Sequence, residues 1–82
     1  MNSILVAGPG CMNCTRLAQM CTEIVTEKGL DAVVEKVTDL NQITALGVMM
    51  TPGLIINGKV ISSGKVPLKS TLEKWILAEV GQ

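Results

Sequence analysis

The sequence predicts an α/β fold of order βαβαββα, a mixed four-stranded sheet with helices on both faces, in a single domain spanning residues 1–82. Three observations carry this reading. Residues 4–7 are a short apolar run and residues 32–37 a second strand, each followed by a segment whose apolar residues recur at helical spacing. Asn57-Gly58 joins two further strand-like runs, and residues 67–77 add a last amphipathic stretch.

Each element has its own signal. Ile4-Leu5-Val6-Ala7 is uninterrupted by polar residues and breaks at Gly8-Pro9-Gly10, as a strand buried on both faces would. Cys14, Leu17, Cys21, Ile24 and Val25 then line one side of a helix that Gly29 can close, with Arg16, Glu23 and Glu27 mostly on other faces. Residues 32–37 form a second strand. Asp39 with Gln42 three residues on resembles a capping box, and Leu40, Ile43 and Leu46 follow before Gly47. Asn57-Gly58 suits the positive φ angles of a type I′ turn between residues 53–56 and 59–62. Pro67 can open the final helix, with Leu68, Leu72, Trp75, Ile76 and Leu77 as its buried face. The first and third helices are expected on opposite faces of the sheet.

Composition narrows the function classes. With 82 residues there is one core, burying about 60–65% of the unfolded surface. Seven basic and seven acidic side chains cancel, and Trp75 is the sole aromatic, so there is neither a phosphate-binding patch nor a stacking platform. Nucleic-acid binding is not expected. Residues 4–7 are too short a run for a signal segment or a membrane span, so a cytoplasmic location and no membrane association are the expectation. Three cysteines are an odd number for a stapled secreted framework, and a close pair in a reducing compartment is more often catalytic or metal-binding.

Cys11-Met12-Asn13-Cys14 is the chemical centre. At a helix start, residues three apart lie on one side, within reach of a disulfide. The first cysteine would face the unpaired N–H groups and positive dipole end of the first turn, which favour a thiolate. Thiols so placed ionise near pH 7 or below, against about 8.5 when free. Cys11 is therefore the candidate nucleophile. Cys14, one turn inside, is the candidate resolving thiol, releasing substrate from a mixed disulfide. Gly10 and its neighbours leave little bulk around Cys11. A structural zinc site wants four ligands, and three cysteines without histidine do not supply them, so no metal is expected. Cys21 falls on the same apolar stripe, where a buried, inert thiol is expected. Met50 would form an adaptable apolar lip beside the cysteines, and Met49 would pack in the core or a loop.

Gly8-Pro9-Gly10-Cys11-Met12-Asn13-Cys14 and Thr51-Pro52-Gly53-Leu54-Ile55-Ile56-Asn57-Gly58-Lys59, in this element order, resemble the thioredoxin superfamily. The likeness is to its very small thioredoxin- or glutaredoxin-like redox-active disulfide proteins, and it covers essentially the whole chain. It implies a minimal thioredoxin fold, a cis Pro52 beside the disulfide, and substrate pairing at the Thr51 backbone, with Met12 and Gly10 also at the substrate site. It implies no cofactor, protein disulfides as substrates, a thioredoxin-reductase-like electron donor and a monomer. Two departures stand out. The Trp-Cys-Gly-Pro-Cys pattern is absent, and the strand before the cysteines lacks the buried acid, leaving the Cys14 proton to water or the leaving thiolate. Ser63-Gly64-Lys65-Val66 only partly resembles the glutathione-binding turn of glutaredoxins, so Arg16 and Lys65 are expected as solvated surface charges.

Two rivals use the same cysteines. Heavy-metal-associated domains also place C-x-x-C at a helix start, where thiolates suit Cu(I). They carry methionine where Pro9 stands and run strand-helix-strand-strand-helix-strand. A redox-sensing module exchanging with one partner is the other.

Overall fold

A computed structural model describes residues 2–10 and 12–80. Among them the chain runs β1 (Asn2–Ala7), α1 (Met12–Lys28), β2 (Ala32–Val37), α2 (Leu40–Ala45), β3 (Gly53–Ile56), β4 (Lys59–Ser63) and α3 (Lys69–Val80). The sheet order is β2-β1-β3-β4. β1 is central, which explains its apolar run: Ile4, Val6 and Ala7 are buried, with Leu5 half-buried. It pairs in parallel with β2, from Asn2 opposite Ala32 to Ala7 opposite Val37. It pairs antiparallel with β3, from Ile4 opposite Ile56 to Ala7 opposite Gly53. The sheet is therefore mixed, as the element order predicts.

Alternation along the strands separates two apolar clusters. Ile4, Val6, Leu54 and Ile56 face Leu17, Cys21 and Ile24 of α1 together with Leu72 and Ile76 of α3. Ala7 and Ile55 face Ile43 of α2 and Val48. The first and third helices thus share one face, and α2 alone covers the other, which corrects the expectation of opposite faces. The apolar surface of the sheet is unequal: Ile4, Val6, Leu54 and Ile56, with Val34 and Ile61, pack on this face, against Leu5, Ala7, Ile55 and Val37 on the other, so this face takes two helices. Ion pairs tie them at the surface: Lys69 reaches Glu27 at 3.0 Å and Glu23 at 3.4 Å, and Lys28 reaches Glu73 at 3.6 Å.

The punctuating residues act much as their chemistry suggests. Asn57 and Gly58 have φ of 51° and 83°, as a type I′ turn requires. The Asn57 side chain also accepts from the Ser3 amide at 2.9 Å, pinning the hairpin to the start of β1. Asp39 caps α2, but it accepts from the amide of Asn41 at 3.0 Å, and no reciprocal bond from Gln42 forms among the described residues. Pro67 lies before α3 rather than in its first turn. Leu68 is its capping residue, accepting from the Leu72 amide at 2.9 Å, and its side chain is exposed. Leu68 is therefore not part of the buried face. That face is Leu72 and Ile76, with Trp75 and Leu77 half-buried.

Candidate active site

Three segments meet at one end of the sheet: the turn after β1, the first turn of α1 and the loop before β3. The parallel ladder continues one step past β1, with the Gly8 amide donating to the Val37 carbonyl at 2.8 Å. Gly8 is buried there. A methyl group built on it would collide with Cys14 Sγ, stand 3.0 Å from Cys14 Cβ, and lie 3.8 Å from Thr51 Cβ. Glycine at position 8 is thus what lets the Cys14 side chain close over the end of the strand, with Thr51 at ordinary contact distance. Gly10 takes a φ of 95°, a left-handed conformation that glycine adopts without steric cost, and is exposed.

Cys14 is the third residue of α1, is buried and is disulfide-bonded. Cys11, the expected nucleophile, lies outside the described residues. Met12 opens α1 and is 82% exposed. Two turns beyond Cys14, Cys21 is a free thiol in the centre of the larger cluster, and burial pushes its pKa up to about 12. Its burial is as the sequence predicts, and the raised pKa favours the neutral thiol there.

The Thr51–Pro52 peptide bond is cis, with Pro52 buried and Thr51 exposed. The residues flanking Thr51 are pinned to the end of β4. The Ser63 hydroxyl accepts from the Met50 amide at 3.2 Å and donates to the Met50 carbonyl at 3.0 Å. The Gly64 amide donates to the Pro52 carbonyl at 2.8 Å. Among the described residues, none hydrogen-bonds to the backbone of Thr51. Met50 and Met49 are exposed on the same loop, Met49 at 91%, so Met49 belongs to the loop and not to the core.

Electrostatics at the site are sparse. Among the described residues no charged side chain is buried, and Arg16 and Lys65 are both exposed. No group of three or more potential metal-binding side chains occurs among the described residues. The sequence reading missed two contributors. Gly8 gave a signal only as part of a break after a strand. Ser63 stood out only within a partial glutathione-turn likeness, and its hydroxyl serves the proline loop instead.

Known proteins share this arrangement of chain. The family described as Thioredoxin domain matches residues 2–77. A thioredoxin of Methanothermobacter thermautotrophicus is 36% identical over 74 residues, covering 90% of this chain and 96% of its own. A thioredoxin of Methanocaldococcus jannaschii is 37% identical over 77 residues, covering 89% of this chain and 88% of its own. With its mixed four-stranded sheet and the match across nearly its full length, the chain belongs to the thioredoxin family of thiol–disulfide oxidoreductases.

Proposed function

We propose that the chain reduces protein disulfides through a Cys11–Cys14 dithiol/disulfide cycle. The observation that carries this reading is the seating of the disulfide-bonded Cys14 against Gly8, beside a Thr51 whose backbone is left open between two pinned neighbours. In the cycle, the Cys11 thiolate attacks one substrate sulfur, and the substrate S–S bond breaks to release one thiolate. Cys14 then attacks the Cys11 sulfur, the mixed disulfide breaks, and the second substrate thiol leaves. The substrate gains two electrons and the protein holds the new disulfide, which a thioredoxin-reductase-like donor returns to the dithiol.

Roles divide by environment. Cys14 is buried, so its attack is confined to a partner already bound to Cys11. No buried carboxylate stands beside it among the described residues, so its proton passes to water or to the departing thiolate. Thr51 would pair with an extended substrate segment. Gly10 leaves room for that segment, and Met12 and Met50 offer it a deformable apolar rim. On this reading it works as a cytoplasmic monomer, with neither nucleic acid nor membrane as a partner. No helix among the described residues is long and apolar enough to cross a membrane. The order βαβαββα also differs from that of the Cu(I)-carrier domains that share the C-x-x-C.

Trapping tests the assignment. A Cys14→Ser variant should accumulate mixed disulfides with disulfide-bearing partner proteins, seen as mass-shifted bands that a reductant removes. Trapping by Cys11→Ser in place of Cys14→Ser would reverse the two roles.

A further inference from the structure

We infer that Ser63 is a positioning residue for the substrate-pairing loop, aimed at Met50 by a bulge in β4. This rests on the reading that Thr51 pairs with substrate. Opposite β3, Ile55 faces Val60 and Leu54 faces Ser62, so β4 carries one extra residue, Ile61, and Gly53 faces Ser63. Were the register to run on without the bulge, Leu54 would face Ile61 and Ser62 would stand opposite Gly53. Bulges near sites re-aim side chains in this way.

The register has a cost elsewhere. Ser62 Oγ is buried with no hydrogen-bond partner among the described residues. One step further on, Ser63 satisfies both polar groups of Met50, using its hydroxyl as acceptor at 3.2 Å and donor at 3.0 Å. Gly53 completes the arrangement, since a methyl group there would stand 2.6 Å from Val48 Cγ1 and push the loop off the sheet. Gly64, at a φ of 77°, lies close under the Met50 side chain and holds the Pro52 carbonyl. Met50 and Pro52 therefore cannot turn without breaking bonds to β4. The exposed Thr51 between them is presented in one orientation. Ser63 acts through Met50.

The test compares Ser63→Ala, which deletes both bonds, with Ser63→Thr, which keeps the hydroxyl. Amide exchange at Met50 reads the clamp itself, and steady-state kinetics are read with insulin and with a small aromatic disulfide that needs no backbone pairing. Ser63→Ala should speed Met50 exchange and raise the KM for insulin about fivefold to tenfold, the size expected for one or two neutral hydrogen bonds. Its kcat and its turnover of the small disulfide should stay within about twofold, and Ser63→Thr should restore the KM. Unchanged Met50 exchange would overturn the inference, as would an unchanged insulin KM, an equal loss with both substrates, or no rescue by threonine. A wild-type protein reducing neither substrate would overturn the proposed function instead, and Met50 exchange would still decide whether Ser63 holds the loop.

Discussion

Cys14 and Cys21 lie two turns apart on the same stripe of α1, both buried, yet they stand in opposite chemical situations. Cys21 is packed among Leu17, Ile24, Ile56 and Leu72, a free thiol kept neutral by its apolar surroundings. Cys14 belongs to neither apolar cluster. Its sulfur lies against the Gly8 backbone, where a side chain would collide with it, and it is disulfide-bonded. Burial is common to both, so burial does not make a thiol inert. What differs is whether the neighbours are side chains that fill space or backbone that has been cleared of them.

The sharpest way to break this contrast is to fill the cleared space. Gly8→Ala places a methyl group against the Cys14 sulfur, and overpacking of this kind costs about 1–3 kcal/mol. Displacing a reacting atom by ~1 Å can cost ~100-fold in rate, so insulin reduction should fall by about tenfold or more. A variant that melts and turns over like the wild type would show that Gly8 does not set the seat of Cys14. The reverse change acts at the other thiol. Cys21→Ala leaves a small core void and should cost about 1–2 kcal/mol by denaturant unfolding. Disulfide exchange should stay within about twofold, since Cys21 takes no part in it.

The comparison can also be sharpened through pH. Burial raises the Cys21 pKa from 9.0 in the unfolded chain to about 12. Below pH 9 the thiol is protonated in both states, and its contribution to stability is fully present. As pH rises from about 9 towards 12, the unfolded chain ionises while the folded one keeps its proton. Stability is lost at up to about 1.4 kcal/mol per pH unit in that window. Lysines titrate there too, so the quantity to measure is the difference in slope between wild type and Cys21→Ala. Equal slopes would mean that Cys21 ionises as freely in the fold as outside it.

Much of this was legible in the sequence, because the signals were local. The run of residues 4–7 marked the central strand, Asn57-Gly58 marked the hairpin, and helical spacing placed Cys14 and Cys21 on one stripe. What was not legible depended on contacts between distant segments. That α1 and α3 share a face follows from which strand residues stand side by side in the assembled sheet, which no single helix pattern encodes. The exposure of Leu68 depends on where α3 begins, and a leucine before a helical run reads like a leucine within it. The role of Ser63 follows from a register shift in β4, visible only once β3 and β4 are paired. At the site, C-x-x-C and Thr51-Pro52 announced themselves, whereas Gly8 matters for an atom it lacks.

The central claim is that one cysteine pair is redox-active and the third thiol is silent. It is tested most directly by equilibrating the protein through a series of thiol redox buffers, alkylating at each step and locating the label by mass. One reversible two-electron transition is expected at Cys11 and Cys14, with Cys21 unlabelled until the protein is unfolded. A transition that includes Cys21 would contradict it. So would the absence of any disulfide transition together with tight protection of both thiols by Cu(I).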